Sequence, residues 1–545
     1  MYRLTIPVLF SLLVCTVTAT AQNQNPQDTT TEKKTVTIIH GDRVGQRTTD
    51  SATFKILSGD VKLLQGKTLF YADSVSINET RNIVEAFGRV HINDNDSIHT
   101  YSDYLRYLPK EKKAFLKDHV KLTDGKGSLT TPTLDYDLLT KIGQYTQGGK
   151  LVTDSSVLTS QEGYYYGETR DVLFKKRVKL VDPQSTVTTD TLWFNTATRI
   201  ATFTVPTKIV NKDSSKINTS SGYYDFAKKK SVFGQRSELQ SGTSTLIADD
   251  IANDEASGFG EARGNAIFRD TAKGLVLLAN NMKTNRKDEA VLATQSPVAI
   301  IKQGEDSTYF AADTFYSAKL SQLILDRYVP NVRDSGYLND SIKQVRIVNK
   351  DSSSDRFLEA YFHVKIFSDS MQAVCDSMFY SMNDSTFRLF RDPIVWAKNS
   401  QITGDTLYVF TAGKKPQRMF AFDNSLIINK PVAKDNFYNQ VKGRNTNAYF
   451  DTSGNINFTR TRGSQAEYVY YLLDENNRYI GVNKSSSDII EMYFLNREPE
   501  TLKLFNAVKA NTSPMGMVDH ENIKLRGFKW QEDRRPKTKY DLFGN

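Results

Sequence analysis

Long apolar runs are missing from this 545-residue sequence. Beyond the first twenty residues nothing approaches the ~18 to 20 apolar residues of a membrane-spanning helix. Cysteine is almost absent, with only Cys15 and Cys375. Cys15 falls in a leader, so no intramolecular disulfide is expected in the exported chain. The six histidines (His40, His91, His99, His119, His363 and His520) lack H-x-x-x-H or Cys-His spacing. His91, His99 and His119 could approach one another across strands, but no metal site is expected. There is no G-x-S-x-G, phosphate loop or Cys/His nucleophile set, and no carboxylate pair stands out for acid–base work. No enzyme and no cofactor are therefore expected. No stretch carries a 3.6-residue apolar stripe, which argues against a helical core.

What is present begins with a targeting segment. Arg3 supplies the positive charge, Leu4 to Val17 the apolar stretch, and Ala19-Thr20-Ala21 a small-residue cleavage site. Residues 1–21 read as a cleaved signal peptide, since the run is too short to span a bilayer. Leu12-Leu13-Val14-Cys15 loosely resembles a lipoprotein box, but Val14 is bulkier than the residue such boxes require. The expected location is the periplasm, with outer-membrane association an option. The composition is 39% hydrophobic and 11% aromatic, with 27 Tyr and 30 Phe. That suits many half-buried strands. A net charge of +9 is modest for the length. It fits an acidic partner or plain solubility and does not select nucleic acid.

Internal repetition decides the fold class. Segments of the form Ala72-Asp73-Ser74-Val75 recur at Ser102-Asp103-Tyr104-Leu105, Thr189-Asp190-Thr191-Leu192, Ala248-Asp249-Asp250-Ile251 and Ala312-Asp313-Thr314-Phe315. Weaker copies stand between them, nine in all, and successive copies lie about 28 to 33 residues apart. Within a unit the apolar residues alternate, as in a strand with one buried face. Val75 and Ile77 share a face, then Val90 and Ile92, Leu105 and Tyr107, Val120 and Leu122, Val178 and Leu180, and Leu192 and Phe194. Two strands cannot bury a face alone, so the units are expected to stack into an all-β body of antiparallel strands. One strand per unit in each of two facing sheets would give a body roughly 40 to 45 Å long. The recurrent aspartates are expected at strand starts, capping turns, with a calcium ladder as the alternative.

The organisation follows from where the rhythm lapses. Units run over 36–318, residues 319–355 read as an insertion or linker, and a second segment of the same architecture spans 356–500. Residues 501–545 read as a basic tail.

The stretch Gly59-Asp60-Val61-Lys62-Leu63-Leu64-Gln65-Gly66-Lys67-Thr68-Leu69-Phe70-Tyr71-Ala72-Asp73-Ser74-Val75, with Ala86-Phe87-Gly88-Arg89-Val90-His91-Ile92, resembles the OstA/LptA family of lipopolysaccharide-transport proteins. Gly260-Glu261-Ala262-Arg263-Gly264-Asn265-Ala266-Ile267-Phe268 is a second copy. The likeness is strongest over 36–145 and extends to about 318. It implies a β-jellyroll, or β-taco, whose apolar interior takes the acyl chains of lipopolysaccharide or a related glycolipid. By that resemblance Val75, Ile77, Val90, Ile92, Leu105, Tyr107, Val120, Leu122, Val178, Leu180, Leu192 and Phe194 would contact lipid. It also implies edge-strand pairing with other bridge components, or head-to-tail self-association. A structural or adhesive surface repeat protein is the main alternative. A polysaccharide-degrading β-helix enzyme is a lesser one, since its coils are usually shorter and no Asp/Lys/Arg cluster is evident.

Overall fold

The computed structural model describes residues 36–303, 306–322, 328–333, 341–346, 356–381, 385–412, 415–431, 435–476, 478–495 and 498–543. The leader expected over residues 1–21, with Cys15, lies outside them. Strands dominate, all paired antiparallel, and the only helical turns among the described residues are short 3-10 segments. The all-β, stacked antiparallel architecture is the one the repeat implied.

Each repeat strand is bent. Ala52–Gln65 pairs with Thr68–Asn78 in two blocks, Phe54–Ser58 against Ser74–Asn78 and Val61–Gln65 against Thr68–Ala72, with an irregularity between them. The same break recurs in Ile83–Asp94, Ile98–Leu108, Lys113–Thr123 and Asp171–Val181. At the break the backbone turns left-handed, often over two consecutive residues: Gly59 and Asp60, Gly88 and Arg89, Asp118 and His119, Lys176 and Arg177. Such doublets interrupt the ladder and turn the strand through a corner. The blocks on one side of the corners form flank I (Phe54–Ser58 and its neighbours). Those on the other side form flank II (Val61–Gln65 and its neighbours). Interior parity survives the bend, so Val84, Ala86, Val90 and Ile92 all face one core.

Two expectations change here. Asp73, Asp103 and Asp190 are not at strand starts but mid-strand, beside the corners; Asp249 and Asp313, at equivalent corners, do stand immediately before the strands Asp250–Asp254 and Thr314–Lys319. Their carboxylates hold the left-handed residue of the next strand: Arg89 Nε donates to Asp73 at 2.7 Å, and His119 lies 2.6 Å from Asp103. Asn265 Nδ2 donates to Asp249 at 3.1 Å, Arg236 of a preceding strand lies 3.1 Å from the same carboxylate, and His363 is 2.8 Å from Asp313. A bent strand also serves both flanks, so each unit adds two strands to each flank rather than one. The stack is accordingly about twice the 40 to 45 Å expected at ~4.8 Å per strand.

The ladder continues across the segment expected as a linker, because Thr314–Lys319 pairs with Arg356–Phe367. Within that segment Tyr328–Arg333 and Ser341–Arg346 form a separate hairpin. The apolar interior divides elsewhere. One buried cluster runs from Leu57 to Phe233, and the next from Ala248 to Met492. The first is filled by Val, Leu, Phe and Tyr, the second by many Ala and Met.

The outward faces differ as well. On flank II of the first part, Lys121, Lys150, Lys179 and Lys208 recur at 29-residue intervals, all exposed, with Thr130, Thr159 and Thr188 paired between them. In the later part the outward face includes buried apolar residues: Ile394 and Trp396 have no exposed surface. Of residues 501–545, expected as a tail, 501–543 are structured. Glu498–Phe505 and Lys509–Pro514 pair with Tyr479–Leu495, and the following residues lie against flank II. Their basic composition hid the widely spaced Leu525, Trp530 and Leu542 that pack there.

One glycine is demanded by the corner geometry. Gly222 has φ +138, and a Cβ there would strike the backbone carbonyl of Val232 on the paired strand. Gly66, at φ +63 in a turn, has nothing within 4 Å. Gly222→Ala is expected to destabilise by about 2–3 kcal/mol and Gly66→Ala by about 1 kcal/mol. Urea unfolding of the two variants side by side checks the difference.

Candidate functional site

In the N-terminal part the space between the flanks is the apolar interior. Eleven of the twelve residues expected to line it are buried in a single cluster, from Val75 to Phe194, and Ile77 packs against it half-buried. They come from both flanks. Val90, Ile92, Val120, Leu122, Val178 and Leu180 belong to flank II blocks, and Val75, Ile77, Leu105, Tyr107, Leu192 and Phe194 to flank I blocks. The space is filled by these side chains. At its N-terminal end an apolar gap of about 10 Å³ remains between Val36, Leu63, Phe70, Val75, Leu105 and Tyr107. That is at most about the room of one water-sized sphere, so the gap accommodates no acyl chain as it stands.

Opposite the corners the flanks meet along a mouth, and there hydrogen bonds replace covalent continuity. The Tyr107 hydroxyl on flank I donates to Gln65 on flank II, and the Gln65 amide donates to the Pro109 carbonyl at 3.2 Å. One repeat on, Tyr136 donates to Asp94 at 3.4 Å. The next repeat places Tyr165 3.1 Å and Thr196 2.7 Å from Asp124. Arg199 then reaches Ser155 and Asp182 across the same line. In the later part Lys398 meets Asn455 across the mouth. The tyrosines stand 29 residues apart and their acceptors 29 or 30.

Burial governs the chemistry of this row. It pushes the hydroxyls of Tyr107, Tyr136 and Tyr165 well above the ordinary range, so each remains a donor. For Asp124 burial also pushes upward. Hydrogen bonds from Thr196, the Gly127 and Lys126 N–H groups and Tyr165 outweigh it and leave the carboxyl below its usual value. Sequence reading included Tyr107 as a lining residue but missed the mouth, because partners 41 or 42 residues apart leave no local pattern.

The other chemically capable groups do not assemble. His91 Nε2 and His99 Nδ1 lie 3.1 Å apart on the outer face of flank II, while His119 is at its corner with Asp103. Among the described residues no three His, Cys, Asp or Glu side chains come close enough together to hold a metal. Burial pushes the Cys375 thiol up to about 12, against a smaller lowering from the Phe390 N–H. A thiol so placed stays protonated and unreactive.

Residues 33–190 and 180–249 match the family described as OstA-like protein, an extent under half of the chain. That extent nearly coincides with the first core cluster, Leu57 to Phe233. No curated protein sequence matches. Among solved structures, LptH of Pseudomonas aeruginosa, the LptA-homologous periplasmic component of the conserved lipopolysaccharide transport device, is 15% identical. The match covers 20% of this chain and 83% of that one, with a TM-score of 0.18.

The Asp124 carboxylate has a lowered pKa in the folded chain, so its stabilisation is full above the ordinary value of 3.8 and is lost as pH falls through the depressed value. Asp124→Asn is expected to cost about 1–2 kcal/mol at pH 7, through weaker hydrogen bonds, and to reduce the loss of stability below pH 4. Urea midpoints measured at pH 7 and pH 3 test both parts; equal midpoints for variant and wild type at pH 7 would contradict the role.

Proposed function

With residues 33–249 OstA-like by sequence, we propose that the protein is a non-enzymatic periplasmic carrier of lipopolysaccharide or a related glycolipid, acting in outer-membrane assembly. One observation carries this reading: the OstA-like extent nearly coincides with a separate apolar interior whose mouth is closed by a row of side-chain hydrogen bonds and an ion pair. A buried acyl CH₂ is worth about 0.8 kcal/mol, so moving a fatty chain through water needs a continuous apolar lining along the whole path. Stacked strands of unbroken interior parity supply such a lining. The tight filling of the interior means that acyl chains enter by parting the flanks and displacing side chains such as Leu105 and Leu192. Each mouth contact contributes about 1 kcal/mol, a scale that lipid burial exceeds.

The apolar, one-sided N-terminal part, residues 36 to about 241, is the carrier in this proposal. The later part, buried on outward as well as inward faces, is a supporting body. The exposed strands Thr37–His40 and Arg43–Thr49 at one end of the stack offer unpaired edges to bridge components or to a second copy. The same close packing also favours a second reading, a structural or adhesive repeat protein whose interior never opens.

Photocrosslinking separates the two. Probes at inward Val75, Leu105 or Leu192 are expected to capture lipopolysaccharide, and probes at Ser74 or the exposed Arg89 to capture none. Labelling of both faces alike, or of neither, would remove the carrier reading. Depletion of the protein in cells is expected to leave lipopolysaccharide in the inner membrane.

A further inference from the structure

After Pro514 the chain leaves the last strand block of flank II and runs back along the outside of that flank. It crosses strands that precede it by 85, 130, 163 and 176 residues. Three glutamines form the track. Gln372, Gln401 and Gln440 each stand immediately before an interior residue (Ala373, Ile402, Val441), so all three point outward from equivalent positions on flank II. Outward glutamines are ordinarily solvated. These are 6%, 0% and 1% exposed, because residues 525–535 lie over them.

Most of the contacts read the backbone of the overlying segment. Gln440 accepts from the Leu525 N–H at 2.8 Å. Gln401 accepts from the Gln531 N–H at 2.8 Å and donates to the Lys529 carbonyl at 2.7 Å, a two-point clamp on the backbone of one short stretch. Lys442 donates to the Arg526 carbonyl, and Lys365 to that of Asp541. Gln372 accepts from both Nε and Nη2 of Arg535, at 2.9 and 2.6 Å. Apolar anchors close each end. Leu525 packs with Val469, Tyr471 and Val482, and Leu542 with Val298 and Ala311. Between them Phe528 meets Tyr438 edge-on and Trp530 packs against it at a tilt.

Fixed carboxamides that read a backbone, with apolar sockets at both ends, have the build of a peptide-binding groove. We propose that the outer face of flank II in the later part is such a groove, and that residues 519–542 are its ligand. The ligand is held in cis here, and a second copy of the chain can supply it in trans. The join between strand and ligand is suited to separation: Met515–Met517 is a single 3-10 turn with no buried residue, and Met517 is 82% exposed. Attachment gives the cis ligand an effective concentration in the millimolar range for a short flexible link, so exchange emerges only once the link is cut or weakened.

The test uses the full chain with a protease site inserted between Gly516 and Met517. After cleavage the released end is expected to co-elute with the body. A fluorescent synthetic peptide of residues 517–545 is expected to replace it saturably, with affinity lowered at least tenfold by Gln401→Ala. Loss of the fragment from a body that then takes up no labelled peptide would overturn the proposal, as would an unchanged affinity in the Gln401→Ala body. Should the cleaved protein precipitate, hydrogen exchange on uncut chains decides. Gln401→Ala is expected to speed exchange at least tenfold across residues 525–535 together, with the interior strands unchanged; acceleration at Gln531 alone, or none, refutes a separable ligand.

Discussion

The corner is the constraint from which the rest of the molecule follows. A strand with one apolar face needs a second surface to cover it, and here the strand provides that surface by bending back over itself. Two left-handed residues, each costing about 1–2 kcal/mol for a residue with a side chain, make the turn. Glycine meets part of that cost at positions 59, 88 and 264. Elsewhere the carboxylate of the neighbouring strand holds the strained residue, as Asp103 does for His119. Because the bend leaves inward parity unchanged, successive strands add to one interior. The body grows by repetition without a crossover connection.

Bending also determines where the molecule is weak. Corners are continuous backbone, whereas the opposite line is held only by side chains reaching from one flank to the other. The spacing of Tyr107, Tyr136 and Tyr165 matches that of Gln65, Asp94 and Asp124, so the mouth repeats with the strands. It is therefore a row of similar small contacts rather than one strong one, and a row of that kind can part locally. The later part of the chain is secured differently, by burial on the outside of flank II.

Much of the fold was legible in the sequence because period two and the near-30-residue repeat are local signals. Val75 through Phe194 fall on the interior as alternation dictates. The corners escaped notice for the same reason: a bend that conserves parity leaves the alternation undisturbed. The recurrent aspartates then looked like turn residues, since Asp at a corner and Asp at a turn satisfy neighbouring N–H or cationic groups in similar ways. The mouth required knowledge of which strand faces which, and Tyr136 with Asp94 shows no signature within a window of ordinary length. The closing segment was misread on charge. Its lysines and arginines point to solvent or hydrogen-bond along the groove, while the few apolar residues that fix it are too widely spaced to suggest a strand or helix.

The outward glutamines have a consequence for the order in which the chain becomes itself. A polypeptide emerging amino end first can complete its early strands as they appear, because their outer faces carry Lys121, Lys150 and Thr159 and are content in water. The later strands cannot be completed in that way. Ile394, Trp396 and Val469 emerge well before the residues that will cover their flank, and must wait, bare, for more of the chain. Maturation of this half is thus timed by chain delivery rather than by local folding. Any factor that guards the nascent protein would have its work concentrated in the interval between residues 394 and 542.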